Sequence, residues 1–194
     1  IVNNAQVNRV AKRLIAQVPH YRADAANWNW EVNTIRDNEI NAFCLSGGKI
    51  GVLTGSITKI NATDDELAAL IGHEIAHALR DHGREKVSKK LLTGLGVLAA
   101  SSAGLGDMVV SGTSLLGDYG VNLPGSRKLE SEADLLGVDI MVRAGYNPQG
   151  AISFWNKVVA QEKQGTKIDF LSTHPTSEKR IVAIQDYINQ NYRK

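Results

Sequence analysis

His73-Glu74-Ile75-Ala76-His77 carries the clearest chemistry in the sequence. On a helix, positions i and i+4 lie about 40° apart in rotation and one turn apart in height. Both imidazoles can therefore reach one zinc ion at Zn–N distances of about 2.0–2.1 Å. Glu74 flanks that face, close enough to take a proton from a water activated there. Ile71, Ile75 and Leu79 form an apolar edge beside the histidines, so the helix sits between core and cleft. With five histidines in 194 residues, independent placement gives this pattern in roughly one of two hundred such sequences.

A hydrolytic zinc takes three protein ligands and leaves a fourth position open. His20, His82 and His174 remain as histidine candidates. His82 falls about 140° further round the helix than His77, so it is expected to point away as an ordinary residue near the helix end. The other source is the acidic run Glu130-Ser131-Glu132-Ala133-Asp134, where Glu130 and Asp134 share a helical face. One of the two can bind the metal while the other accepts a hydrogen bond from a ligating imidazole.

The elements that must position these groups are legible in part. Val7, Val10, Leu14 and Val18 recur at helical spacing before Pro19. Trp28, Trp30, Val32 and Thr34 alternate as a half-buried strand does. Runs 40–45 and 49–54, joined by Ser46-Gly47-Gly48, read as a hairpin. Thr63 with Glu66 forms a capping-box pattern, and Asp64 and Asp65 suit the positive end of the helix dipole. That helix is expected to stop at Gly83. Further helices are predicted over about 127–145, from Asn147-Pro148 to near Gly165, and from Pro175 through Ile181, Ile184 and Ile188. The sum is an α+β fold with a small, mostly antiparallel sheet and surrounding helices, in one domain spanning 1–194.

Composition excludes several classes. A formal net charge of +2 with scattered Lys and Arg argues against nucleic acid. The one cysteine, Cys44, permits no internal disulfide and reads as a small buried hydrophobe. No transmembrane helix stands out. The apolar stretch Leu91–Gly117 is too often broken by Gly and Ser to span a bilayer, and it suits a mobile cover over the cleft or a buried helical hairpin. The sequence opens on Ile1, not Met, and reads as a trimmed chain whose longer form could carry a membrane anchor.

The paired HEIAH and ESEAD motifs are accompanied upstream by Asn41-Ala42-Phe43, Gly47-Gly48-Lys49-Ile50 and Thr54-Gly55, and downstream by Ser172-Thr173-His174-Pro175. Together they resemble the gluzincin metallopeptidases of the Ste/HtpX/Oma type, and among them the soluble bacterial envelope branch (BepA- and LoiP-like), over about residues 38–184. The resemblance implies a zincin-like metalloprotease domain holding one Zn2+ through His73, His77 and Glu130. It makes Glu74 the general base and Asp134 the partner behind a ligand. It also implies that Asn41, Ala42 and Phe43 line the cleft rim, where an extended polypeptide substrate adds as a strand. Read unaided, His174 and Arg180 are surface residues; the resemblance makes them candidates to face the zinc, as oxyanion stabilisers or, for His174, as a fourth ligand. Leu123-Pro124-Gly125, Cys44 and Ser46 depart from the family pattern without touching a ligand. The implied function is a zinc-dependent metalloendopeptidase acting on misfolded or unfolded envelope proteins, in the bacterial periplasm. The alternative is a chaperone or adaptor whose zinc site is latched while it binds clients.

Overall fold

Asn4 starts the first helix, α1 (Ala5–Ile15), by accepting a hydrogen bond from Val7 N–H at 3.0 Å. Val7, Val10, Ala11 and Leu14 are fully buried. Pro19 ends this segment in a 3-10 turn, Val18–His20, which leaves Val18 in the core but outside the helix. The computed structural model describes residues 1–82 and 126–192.

Three strands follow: β1 (Glu31–Ile35), β2 (Ala42–Leu45) and β3 (Lys49–Leu53). Trp28 and Trp30 precede β1, because Ala23–Asn27 forms a 3-10 turn that Trp30 Nε1 ties down by donating to Ala25 O at 2.9 Å. Gly47 and Gly48, both at φ +95°, make the β2–β3 turn, and the Trp30 ring covers Gly48 where a side chain would stand. The strand order is β1-β3-β2, so β3 is central, antiparallel to β2 and parallel to β1. The sheet is thus small and mixed. The outer edge of β2 has no strand partner among the described residues.

After β3 comes a short helix, α2 (Gly55–Thr58), which the apolar pattern does not announce. Ser56 Oγ both donates to Asn41 O and accepts from Asn41 N–H, each at 2.8 Å, and so fixes the chain entering β2. Helix α3 (Asp64–Leu79) begins with the full capping box: Thr63 Oγ1 accepts from Glu66 N–H and Glu66 accepts from Thr63 N–H. Every residue from Glu66 to Leu79 is buried, so α3 is the central helix. It ends four residues before Gly83, which corrects the expected stop. Asp81 adopts the left-handed conformation at φ 52°, and Arg22 Nη1 donates to both Leu79 O and Asp81 Oδ2. An aspartate tolerates that backbone better than most residues.

Four helices complete the described chain: α4 (Ser126–Arg143), α5 (Gln149–Lys163), α6 (Asp169–Thr173) and α7 (Glu178–Asn191). α4 crosses α3 at paired glycines. A Cβ on Gly72 would meet Gly137 O at 3.1 Å, and one on Gly137 would meet His73 N at 3.0 Å. Only bare backbone allows that approach. Gly145 (φ +92°) and Gly165 (φ +89°) follow the ends of α4 and α5 in the left-handed conformation common there. α7 is capped by Ser177 and packs through Ile184 and Ile188, while Tyr187 Oη donates to Asp139 on α4. Buried side chains from α1 to α7 form one contiguous core, and the fold is α+β. No helix of the described residues is long and apolar enough to cross a membrane. Leu91–Gly117 lies outside the described residues.

Candidate metal centre

His73 and His77 project from the C-terminal half of α3, one turn apart, and both are buried. The glycine crossing brings α4 near enough for Glu130 and Asp134 to reach them. His73 Nε2 lies 3.1 Å from His77 Nε2 and 3.0 Å from Glu130 Oε2, and His77 Nε2 lies 3.3 Å from Glu130 Oε1. His174, just after α6, adds its Nδ1 at 2.8 Å from Glu130 Oε1 and 3.3 Å from His73 Nε2. One donor atom from each of these four residues lies within 4.8 Å of all the others.

These separations fit a metal ion. Tetrahedral ligands at about 2.0–2.1 Å from their metal stand about 3.3–3.4 Å from one another, close to the distances found. The proton inventory points the same way. His73 Nδ1 lies 3.1 Å from Asp134 Oδ1, which draws the ring proton to Nδ1 and leaves the Nε2 lone pair facing a carboxylate and a second imidazole. Such a gathering of acceptors calls for positive charge among them, from a proton or a metal ion. Burial opposes charge on His73, yet Asp134 and Glu130 outweigh it and push its pKa up to about 10. Burial pushes His77 down to about 4 despite Glu130. Burial likewise works to raise Glu130, but His174, His73 and His77 hold it far below the usual carboxylate range. This donor set is one that a divalent cation would suit, since it would bring positive charge to the point the four residues share.

Glu74 is also buried beside these groups. Its Oε1 stands 3.1 Å from His174 Nε2. Burial favours its protonated form, but His174, His77 and His73 hold its pKa low, so it is a carboxylate. His174 is drawn the opposite way: burial lowers its pKa, while Glu74 and Glu130 raise it further. Arg180 does not point freely at the centre. Its Nε and Nη2 each donate to Asp134 at 2.9 Å, Nη2 lies 3.5 Å from Glu130 Oε2, and the guanidinium stacks over Trp155. This two-pronged bond steadies Asp134 behind His73.

The expectation for His82 is corrected. Because α3 stops at Leu79 and Asp81 takes the left-handed conformation, His82 leaves the helical path, is 1% exposed, and sets its Nδ1 2.9 Å from His77 Nδ1. The helical rotation that would turn His82 away does not extend past Leu79. Asp81, a residue at ease in the left-handed region, is the signal that could have found it.

Asn41, Ala42 and Phe43 lie at the start of β2, on the unpaired sheet edge. Ala42 is buried, while Phe43 and Leu45 are 38% and 57% exposed. The Phe43 ring lies over Gly51, which has no side chain to obstruct it. Cys44 is half-buried on the same strand, and burial, helped by Glu74, pushes its thiol well up, away from the reactive thiolate.

Comparison with known proteins accords with this geometry. Residues 2–188 match peptidase family M48. The chain is 37% identical over 184 residues to the mitochondrial metalloendopeptidase OMA1 of Schizosaccharomyces pombe, covering 94% of this chain and 52% of that protein. It is 32% identical over 160 residues to metalloprotease LoiP of Escherichia coli, covering 81% and 62%. It is 27% identical over 194 residues to the beta-barrel assembly-enhancing protease of Escherichia coli, covering 95% and 38%. The chain therefore spans about half the length of the relatives it matches.

Proposed function

We propose that this chain, which belongs to peptidase family M48, is a zinc-dependent metalloendopeptidase holding one zinc through His73, His77 and Glu130. The observation that carries the reading is the convergence of three donor atoms from α3 and α4, His73 Nε2, His77 Nε2 and Glu130 Oε2, 3.0–3.4 Å apart, with the Glu74 carboxylate beside them. Zinc held there supplies a Lewis acid that polarises the scissile carbonyl and acidifies a water. Glu74 takes the proton of the attacking water on its carboxylate and passes it to the leaving amine. Asp134, gripped by Arg180, keeps the His73 proton on Nδ1 so that Nε2 remains a ligand. The free edge of β2, with Phe43 and Leu45 exposed, suits an extended polypeptide that adds as a strand. Such a surface takes unfolded chains more readily than folded ones, which supports unfolded or misfolded proteins as substrates; the cell-envelope setting is supported by likeness to the bacterial beta-barrel assembly-enhancing protease.

A second reading is supported by His174. Its Nδ1 faces the same point as the three ligands, so it suits a fourth ligand that keeps the centre latched until a client binds. A client-binding chaperone or adaptor role would rest on that latched state. Metal content tests the first reading: wild type is expected to hold one zinc per chain, and His73→Ala and Glu130→Ala to lose it. Both variants retaining zinc in full would overturn it.

A further inference from the structure

We propose that His82 is a positioning residue of the metal centre: its Nδ1 accepts the Nδ1–H of His77 and so fixes the tautomer and ring angle at which His77 Nε2 faces the metal. This rests on the reading of His77 as a ligand.

The direction of the bond follows from counting protons. The two Nδ1 atoms are 2.9 Å apart, with the rings edge to face at 74°. Such a contact needs one N–H and one lone pair, and a neutral imidazole carries a single N–H. His77 Nε2 lies 3.1 Å from His73 Nε2 and 3.3 Å from Glu130 Oε1. With the Nε2 lone pair turned to a metal, the His77 proton sits on Nδ1 and His77 donates. His82 then accepts at Nδ1 and carries its own proton on Nε2, 3.5 Å from Glu132 Oε2. Glu132 also lies 3.2 Å from Arg80 Nε, so the chain of contacts ends at a charge-balanced, half-exposed carboxylate.

The two metal-facing imidazoles are thereby held by different means. Asp134 stands directly behind His73, and a neutral imidazole stands behind His77. The acidic run of α4 serves both sides, with Glu130 at the metal, Asp134 behind His73 and Glu132 behind His82. The chain invests in bringing His82 there. Asp81 takes a left-handed backbone, and Arg22 clamps Asp81 and the last carbonyl of α3 together. Partners of this kind contribute about 10–100-fold to metal affinity.

The experiment compares zinc affinity, by chelator competition, in wild type, His82→Leu, His82→Asn and His77→Ala. Leucine fills the space without an acceptor; asparagine keeps an amide oxygen near the Nδ1 position. His82→Leu is expected to bind zinc about 10–100-fold more weakly, and His82→Asn to recover the wild-type affinity. In zinc-loaded wild type labelled with 15N-histidine, NMR is expected to show the His77 proton on Nδ1 and the His82 proton on Nε2. Wild-type affinity in a folded His82→Leu overturns the proposal, as does His82→Asn as weak as His82→Leu, which would reduce His82 to packing. Should His82→Leu not fold, the tautomers decide alone, and a His82 proton on Nδ1 overturns it. Zinc bound by His77→Ala as tightly as by wild type removes the underlying ligand reading instead. Zinc lost by His77→Ala but unaffected by His82→Leu removes this proposal alone.

Discussion

Replacing Gly137 by alanine sets two effects of similar size against each other. In an exposed helix interior the change stabilises by about 1 kcal/mol, through intrinsic propensity. At the α3–α4 crossing the new Cβ would stand 3.0 Å from His73 N, 3.1 Å from His73 Cα and 3.2 Å from Gly72 C. Carbon contacts are comfortable at about 3.5–4.0 Å, so two helix backbones must part by several tenths of an ångström. Overpacking of that kind costs about 1–3 kcal/mol. The difference leaves a net loss of about 0–2 kcal/mol, which lowers the melting temperature by up to about 8 °C in a domain of this size. Moving α4 also moves Asp134 and Glu130, one and two turns before Gly137, where metal–ligand distances tolerate only about 0.2 Å. Gly137→Ala should therefore bind zinc more weakly, by chelator competition, and unfold earlier by circular dichroism of the metal-free protein. Gly165→Ala is the control. It has open space but φ +89°, so it should lose about 1–2 kcal/mol with zinc affinity intact. A Gly137→Ala protein that melts above wild type and binds zinc equally well would refute the claim that close crossing builds the centre.

Three further outcomes are expected. Arg180→Ala removes two charge-assisted hydrogen bonds from the buried Asp134, which then keeps His73 beside it, and should cost about 1.5–3 kcal/mol, read as a lower melting temperature in excess chelator, with partial recovery in Arg180→Lys; an unchanged melting temperature would contradict the pairing. Burial works to raise the Glu66 pKa, but Lys157 and Thr63 N–H outweigh it and hold it low. Its contribution is then complete above the unfolded value of about 4.3 and lost as pH falls through the lower folded value, so Glu66→Gln should melt earlier at pH 7 and flatten the acid limb of the stability profile. His174→Ala should raise peptide hydrolysis if His174 latches the centre, and lower it by about 10²–10³-fold if it donates to the oxyanion; unchanged activity and zinc affinity would exclude both roles.

The helices that carry the site were legible because their signals are local. Thr63 and Glu66 announce α3, and the i, i+4 histidines and the Glu130–Asp134 run need only helical spacing to be read. What escaped depends on contacts far apart in the chain. No local pattern says that β3 inserts between β1 and β2 and so runs parallel to β1. Helices α2 and α6 are too short to show a period. The pairing of Arg180 with Asp134 joins residues on different helices. His82 departs from the helical projection for a different reason: the end of α3 is set by an aspartate at φ 52° and a distant arginine, Arg22, in place of the expected glycine.

Glu74 offers the most direct test, because it separates holding the metal from using it. Glu74→Gln keeps the shape of the side chain and removes its capacity to take a proton. Zinc content and digestion of an unfolded protein should be measured on the same preparations of wild type and Glu74→Gln. The account predicts one zinc per chain in both and hydrolysis in wild type alone. Normal hydrolysis by Glu74→Gln, or a zinc-loaded wild type that cleaves no unfolded chain, would contradict it.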